Sequence, residues 1–276
     1  SIYLMAFFKI LPSFNRIVRN LQSLNFTSTA LERFVEELED RNSHVKNKNI
    51  KIEMNSSFRV SNISFGYDKT KQIIKNLNFQ VNKGECVGIL GKNGSGKSTF
   101  VDILCGLIQI DSGDFYVDGK KIQTDLSLFR NFISCVQQNF FIFDTSIRKN
   151  IALGIKDENI DKKLLKKVID DSKVSEFLLD LNNHEEFIVG TNGEKLSGGQ
   201  RQRLSIARAL YFDAKIIIFD EATSSLDYKS ERQVIDTIVN IKNDHTIIII
   251  SHSKNLLSKC DKLYELSEGT LTEIKT

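Results

Sequence analysis

Apolar residues recur at helical spacing early in the chain. Phe14, Ile17, Leu21 and Leu24 fall three or four residues apart, and Leu31, Phe34, Val35 and Leu38 resume the pattern. This predicts a helix over residues 13–40, with Glu36, Glu37, Glu39, Asp40 and Arg41 on its polar face. Asn42 to Asn55 is polar and lysine-rich without a period, and reads as a linker. From Phe58 the period changes to two. Phe58, Val60, Ile63 and Phe65 mark one strand, and Leu77, Phe79 and Val81 alternate in a second. Three short apolar runs follow: Cys86 to Leu90, Ile216 to Phe219, and Thr246 to Ile250. Unbroken runs of this length are the mark of parallel strands buried on both faces. Between them, residues 140–205 or so are mostly helical, with Leu164, Leu165, Val168 and Ile169, then Val174, Phe177, Leu178 and Leu181. A further helix spans roughly Ser230 to Ile241. Strands alternating with helices predict an α/β domain built on a mainly parallel sheet.

Composition narrows the function classes. With 276 residues and 41% hydrophobic content, the chain can build a substantial core. A net charge of +3 lacks the concentrated basic excess of a nucleic-acid binder, so no nucleic-acid partner is expected. The lysine pairs at 162–163 and 166–167 are flanked by Asp161, Asp170 and Asp171 and read as a solvated helix face. Cys86, Cys105, Cys135 and Cys260 have no CxxC spacing and no nearby histidine, which points to buried free thiols in a reducing compartment.

Gly91-Lys92-Asn93-Gly94-Ser95-Gly96-Lys97-Ser98 fits G-x-x-x-x-G-K-[ST] between a predicted strand and a predicted helix. Backbone amides must wrap phosphate oxygens at close range, so side chains are absent and φ is free. A helix opening near Lys97 aims its N-terminal dipole at the same anion. In such a loop Lys97 meets the β- and γ-phosphates and Ser98 binds Mg²⁺. Downstream, Ile216 to Phe219 ends in Asp220-Glu221, and ligands of open α/β sheets lie beyond the carboxyl ends of strands. Asp220 is placed to hold Mg²⁺ and Glu221 to polarise the attacking water. A carboxylate beside phosphates has a raised pKa, which suits a general base.

Leu196-Ser197-Gly198-Gly199-Gln200, followed by Arg201-Gln202-Arg203, resembles the signature sequence of ABC-type ATPases. The resemblance covers residues 58–276 or so, with each motif in order. It implies the P-loop NTPase core with an antiparallel β subdomain and an inserted helical subdomain, over residues 49–276. It implies ATP and Mg²⁺ as ligands, with Tyr67 stacking on adenine and Gly91, Asn93, Gly94, Ser95, Gly96, Lys97, Ser98 and Thr99 cradling phosphates. Gln138 resembles the glutamine that reaches Mg²⁺ and senses the γ-phosphate, with Gln137 as the rival assignment. Ser225-Leu226-Asp227 resembles the D-loop, and His252 the switch histidine. Lys97, Gln138, Glu221 and His252 are thereby the expected catalytic set, and Ser98, Gln138 and Asp220 the metal set. Ser197, Gly198, Gly199 and Gln200 open a helix rich in small and basic residues (Arg201, Arg203, Arg208), a second anion site. In the family it serves the γ-phosphate held by the opposite subunit, so a second ATP-binding domain is an expected partner.

Val189-Gly190-Thr191-Asn192-Gly193 resembles the segment that exporter-type members set against intracellular loops of the membrane domain. Phe187-Ile188 stands where a Thr-Glu pair is common. Phe140, Phe141 and Phe143 are expected to form a groove for a coupling helix, a packing role being the alternative. Residues 1–48 look like the end of a last transmembrane helix and its linker in fused exporters, closest in wording to exporters of lipid-linked oligosaccharides and polysaccharides. The apolar run from Ile2 to Phe8 is far short of the roughly 20 residues that span a bilayer, and it lacks a signal peptide's flanks. The expected location is the cytoplasmic face of the inner (plasma) membrane, peripheral or soluble for this segment alone. A soluble ABC ATPase of translation or DNA maintenance is the alternative. Such proteins usually pair two cassettes or carry long coiled coils, which this chain lacks. A regulatory ATP-binding module without catalysis is the other, and the filled catalytic positions count against it.

Overall fold

The computed structural model describes residues 2–45, 52–68, 71–122, 132–242 and 244–274. The chain divides into two compact units, Ser1–Ile50 and Lys51–Thr276. The first holds one helix, α1 (Ile2–Val45), about 66 Å long at 1.5 Å per residue. It is longer at both ends than the predicted 13–40. It runs through Pro12, whose ring leaves one intrahelical hydrogen bond unmade. Its apolar side chains, among them Tyr3, Phe7, Phe14, Leu24 and Phe26, are exposed. Among the described residues no helix is long and apolar enough to cross a membrane.

The predicted linker is shorter than 42–55. Helix α1 continues to Val45, residues 46–51 lie outside the described residues, and Met54 is already in the core of the second unit. Asn55 and Ser56 donate their amides to the Asp118 carboxylate at 2.8 and 2.7 Å, which fastens this entry segment.

Two sheets build the second unit. The first comprises β1 (Ser57–Phe65), β2 (Ile74–Asn82), β4 (Ser112–Val117) and β5 (Lys120–Ile122), antiparallel in the order β2-β1-β4-β5. The second comprises β3 (Cys86–Leu90), β6 (Ile133–Gln137), β7 (Ile216–Asp220), β8 (Thr246–Ile250), β9 (Lys262–Ser267) and β10 (Thr270–Ile274). Its order is β10-β9-β3-β8-β7-β6, parallel throughout except for the β9–β10 hairpin.

The apolar runs are explained by burial on both faces. In β7, Ile217 and Phe219 point into one core, Ile216 and Ile218 into the other. In β8, Ile247 and Ile249 divide from Ile248 and Ile250 in the same way. One face is covered by α2 (Lys97–Leu104) and the antiparallel sheet, whose Phe58, Phe100 and Phe115 are fully buried or nearly so, as is Phe132 just before β6. The other is covered by the helical region: α3 (Ile147–Ile151), α4 (Lys162–Asp171), α5 (Ser175–Leu178), α6 (Gly198–Tyr211), α7 (Tyr228–Ile241) and α8 (Lys254–Leu257). Together these are the parallel core, antiparallel subdomain and inserted helical subdomain that the sequence leads one to expect.

Candidate nucleotide site

The carboxyl ends of β3, β7 and β8 carry the candidate residues. Beyond β3 the chain turns through the glycine-rich loop into α2. Gly96 adopts φ +102°, a conformation that residues with a side chain rarely reach. A Cβ on Gly91 would approach Leu266 O to 2.6 Å and Ser95 Oγ to 2.7 Å. Lys97 is buried and its Nζ donates to Gly91 O and Lys92 O at 2.8 and 3.1 Å, folding the ammonium back across the loop. Ser95 Oγ is buried with no hydrogen-bond partner among the described residues. An unsatisfied hydroxyl beside an ammonium, at the head of a helix and inside a loop too tight for side chains, fits phosphate oxygens. Thr99 is buried, and Asn93, Gly94 and Ser98 are exposed on the loop.

Asp220 and Glu221 end β7. Burial raises the Asp220 pKa above its ordinary 3.8, the charges of Glu221 and Asp102 push the same way, and Lys97 opposes them. Glu221 sits at φ +49° and donates its amide to Ile250 O at 2.8 Å, so β8 fixes the turn that presents its carboxylate. His252 follows β8, with Nε2 3.7 Å from Glu221 Oε1. Base candidate and histidine therefore meet across neighbouring strands. Tyr67 is exposed and stands edge-on to Phe65, with ring centroids 5.0 Å apart. With Ile73, Gly94, Ser95 and Glu268 it lines a cleft of about 450 Å³ that leads to the glycine-rich loop.

Gln137 ends β6 opposite Asp220, and Gln138 follows it, half-buried. Gln137 lines a second cleft, with Phe140, Phe141, Phe143 and Phe212, of about 550 Å³.

Helix α6 begins at the predicted signature. Ser197 Oγ accepts from the Gln200 amide at 3.3 Å, and the Ser197 amide donates to Gln200 Oε1 at 2.8 Å. This capping box leaves the amides of Gly198 and Gly199, the first two helical positions, with no carbonyl within the helix to bond. Asp227 caps α7 in a related way, accepting from the amides of Lys229 and Ser230 at 3.1 Å each. Both caps are exposed.

Comparison with known proteins agrees with this geometry. Residues 74–224 match the family model described as ABC transporter. The chain belongs to the ABC transporter family. An ATP-dependent lipid A-core flippase of Alcanivorax borkumensis is 36% identical over 224 residues, 81% of this chain and 38% of its own length. A Bacillus subtilis protein named for multidrug export, as an ATP-binding/permease protein, is 35% identical over 220 residues, 78% of this chain and 37% of its own. The solved structure of a bacterial Atm1-family ABC exporter with ATP bound superposes with a TM-score of 0.71 at 31% identity, over 81% of this chain and 39% of that one. The chain thus spans well under half the length of these relatives.

The basic residues of the signature helix make their hydrogen bonds within the domain. Arg201 donates to Leu196 O at 2.9 Å. Arg203 is buried against Glu176 at 2.7 Å and the Phe177 ring. Arg208 donates to Asn150 O and Phe141 O, each at 2.9 Å. The helix N-terminus is left with its amides alone. Asn150, fully buried, in turn bonds Phe143 O and Thr145 Oγ1, so the Arg208–Asn150 pair shapes the phenylalanine cleft. Phe141 and Phe143 keep 60% and 42% of their surface exposed. In the exporter-like segment Val189 is buried and Ile188 is half exposed. Sequence reasoning missed Asp102, Asn150, Glu231 and Ser253. Asp102 carried a readable signal, one turn into the helix after the phosphate-loop lysine.

Proposed function

We propose that the chain binds ATP with Mg²⁺ and hydrolyses it, as one of two ATP-binding domains that close on each other and drive a transmembrane domain. The observation that carries this is the convergence of the phosphate cradle and the Glu221–His252 pair at the carboxyl ends of the neighbouring strands β3, β8 and β7. Tyr67 supplies the face for adenine, and the loop from Gly91 to Thr99 holds the phosphates. Ser98, Gln138 and Asp220 would hold Mg²⁺, which would supply positive charge against the β- and γ-phosphates. Glu221 accepts the proton of the attacking water at its carboxylate, and Lys97, Gln138 and His252 stabilise the charge that develops on the γ-phosphoryl oxygens.

Ser197 to Gln200 and Asp227 serve the partner's nucleotide. Their support is the exposure of the two cap residues: Ser197 and Asp227 face solvent, with Gly198 half-buried and Gly199 buried behind Ser197. The same chain twice is the simplest partner, since one chain carries both halves of a site. The phenylalanine cleft would take a coupling helix of the membrane domain. Residues 1–48 form the end of that domain and its linker, which gives the exposed apolar side chains of α1 a place to be covered. The domain then works at the cytoplasmic face of the inner membrane. The relatives named as lipid A-core flippases favour a lipid or lipid-linked glycan as cargo, and the relative named for multidrug export favours a lipophilic drug.

Glu221→Gln tests the core of this reading. The variant should bind ATP, remain as a closed dimer on gel filtration and lose turnover by about 100-fold or more. Turnover near that of the parent would overturn the assignment of the base.

A further inference from the structure

Two polar residues outside the motifs join the histidine loop to helix α7. Ser253, directly after His252, donates its hydroxyl to Glu231 Oε1 at 2.8 Å. Glu231 lies in the first turn of α7, and its amide donates to Asp227 O at 2.8 Å. Its backbone is therefore fixed relative to the Asp227 cap. The Ser253 amide donates to the Oγ of buried Ser251 at 3.0 Å, which closes the loop around the histidine. His252 itself keeps 55% of its side chain exposed, so the backbone on either side must place the imidazole. On the Ser251 side that backbone is anchored in β8. On the other side the anchors are the bond to Glu231 and the start of α8, where the amides of buried Leu256 and Leu257 donate to Ser253 Oγ at 3.5 Å and Ser253 O at 3.1 Å.

We propose that Ser253 and Glu231 are positioning residues that transmit the position of Asp227 to His252 within one chain. The proposal rests on the roles of His252 and Asp227 given above. Asp227 lies at the exposed cap that would face a second subunit. A shift of that cap moves Glu231 with it, and the Ser253 hydroxyl carries the shift to the histidine. Closure on a partner is thereby reported to the catalytic end of the same chain's own site. The pair needs a donor at one end and an acceptor at the other, and which residue supplies which is immaterial.

That last point gives the test. Steady-state hydrolysis of Mg-ATP by the purified 276-residue chain is measured for single, double and reversed-pair variants. Ser253→Ala and Glu231→Ala should each lower kcat by about tenfold and leave KM for ATP nearly unchanged, because orientation and not binding is lost. The two together should fall no further than either alone, as for one shared interaction. Ser253→Asp keeps an acceptor for the cap of α8, where Ser253 Oγ accepts from the Leu256 amide, but it loses the donor and should be as slow. Adding Glu231→Gln to Ser253→Asp restores the bond with its direction reversed and should recover most of kcat. Additive losses, a fully active Ser253→Ala, or no recovery in the reversed pair would each overturn the proposal. His252→Ala separates the underlying reading: if that variant turns over normally, the role of His252 fails first. If it is inactive while Ser253→Ala is fast, only the present proposal fails.

Discussion

The phosphate loop and the signature helix both place a helix N-terminus toward an anion, yet they differ in how complete they are. The loop is unfinished. Ser95 Oγ is buried without a partner among the described residues, and Lys97 turns back onto two carbonyls of its own loop. At the signature the side chains are already satisfied. Ser197 and Gln200 bond one another in a capping box, the nearby arginines are engaged elsewhere in the helical region, and only the amides of Gly198 and Gly199 lack a carbonyl within the helix. A buried side chain with unmet hydrogen-bonding capacity gains most from a ligand, whereas side chains that already satisfy one another add little affinity by themselves. Under the function proposed above, this difference fits the loop to capture of nucleotide and the signature to recognition of a nucleotide already held by another chain.

The sharpest way to break this division is to mix two damaged chains. In a Glu221→Gln background, Lys97→Ala removes capture and Ser197→Arg blocks recognition. Neither variant alone should retain ATP in a closed dimer. Mixed together, they form hybrid dimers in which one intact loop meets one intact signature, and ATP should again be retained through gel filtration. A mixture that retains no more ATP than its parents would show that the two ends do not assemble across subunits.

A smaller effect distinguishes the ends within one chain. Ser197→Ala breaks the capping box and should cost about 1 kcal/mol of stability, read as a lower Tm without nucleotide. Nucleotide affinity of the monomer should not change. Ser95→Ala should do the reverse. It removes a buried hydroxyl that has no partner, so Tm without nucleotide should hold or rise, while the stabilisation by Mg-ATP should shrink. If Ser95→Ala destabilises the free chain and Ser197→Ala does not, the contrast between finished and unfinished ends is wrong.

The sequence made the unfinished end legible because its chemistry is contiguous. Phosphate binding demands glycines, lysine and serine in one short string, and parallel strands buried on both faces leave unbroken apolar runs. The same holds for Glu221 and His252, each directly after such a run. Contacts between distant, ordinary residues left no such trace. Ser253 and Glu231 are 22 positions apart, and Arg208 and Asn150 are 58 apart, yet each pair meets only through the fold. Five strands escaped notice, three of them for a related reason. The edge strand β6 is interrupted by Ser134 and Gln137, and β4 and β5 carry mixed polar residues. The β9–β10 hairpin was missed as well: Glu268 and Gly269 both have positive φ in its two-residue turn, but Glu-Gly is not an Asn-Gly or Asp-Gly pair of the kind that marks such a turn in sequence. Helix α1 exceeded its prediction because the apolar period, which starts at residue 13, gives no sign of a helix that passes through Pro12.

The finest test concerns what an unfinished site costs the free protein, and it turns on Asp220. Burial, then Glu221 and Asp102, hold its pKa above 3.8, so the folded chain binds this proton more tightly than the unfolded chain does. Between 3.8 and the raised folded value, the unfolded chain gives up the proton first. Stability therefore falls as pH rises through that window and stays lower above it. Asp220→Asn removes the charge and should raise Tm near neutral pH. The gain should fade as pH drops below the folded pKa and vanish below 3.8, where both states carry the proton. Mg-ATP should narrow the gap at neutral pH, because a bound cation turns the same carboxylate from a cost into a ligand. Thermal melts of both chains across that pH range, with and without Mg-ATP, check the sign. An Asn variant that melts lower at neutral pH without ligand would mean that the carboxylate already has a partner which offsets its burial, and that this end of the sheet is as complete as the signature.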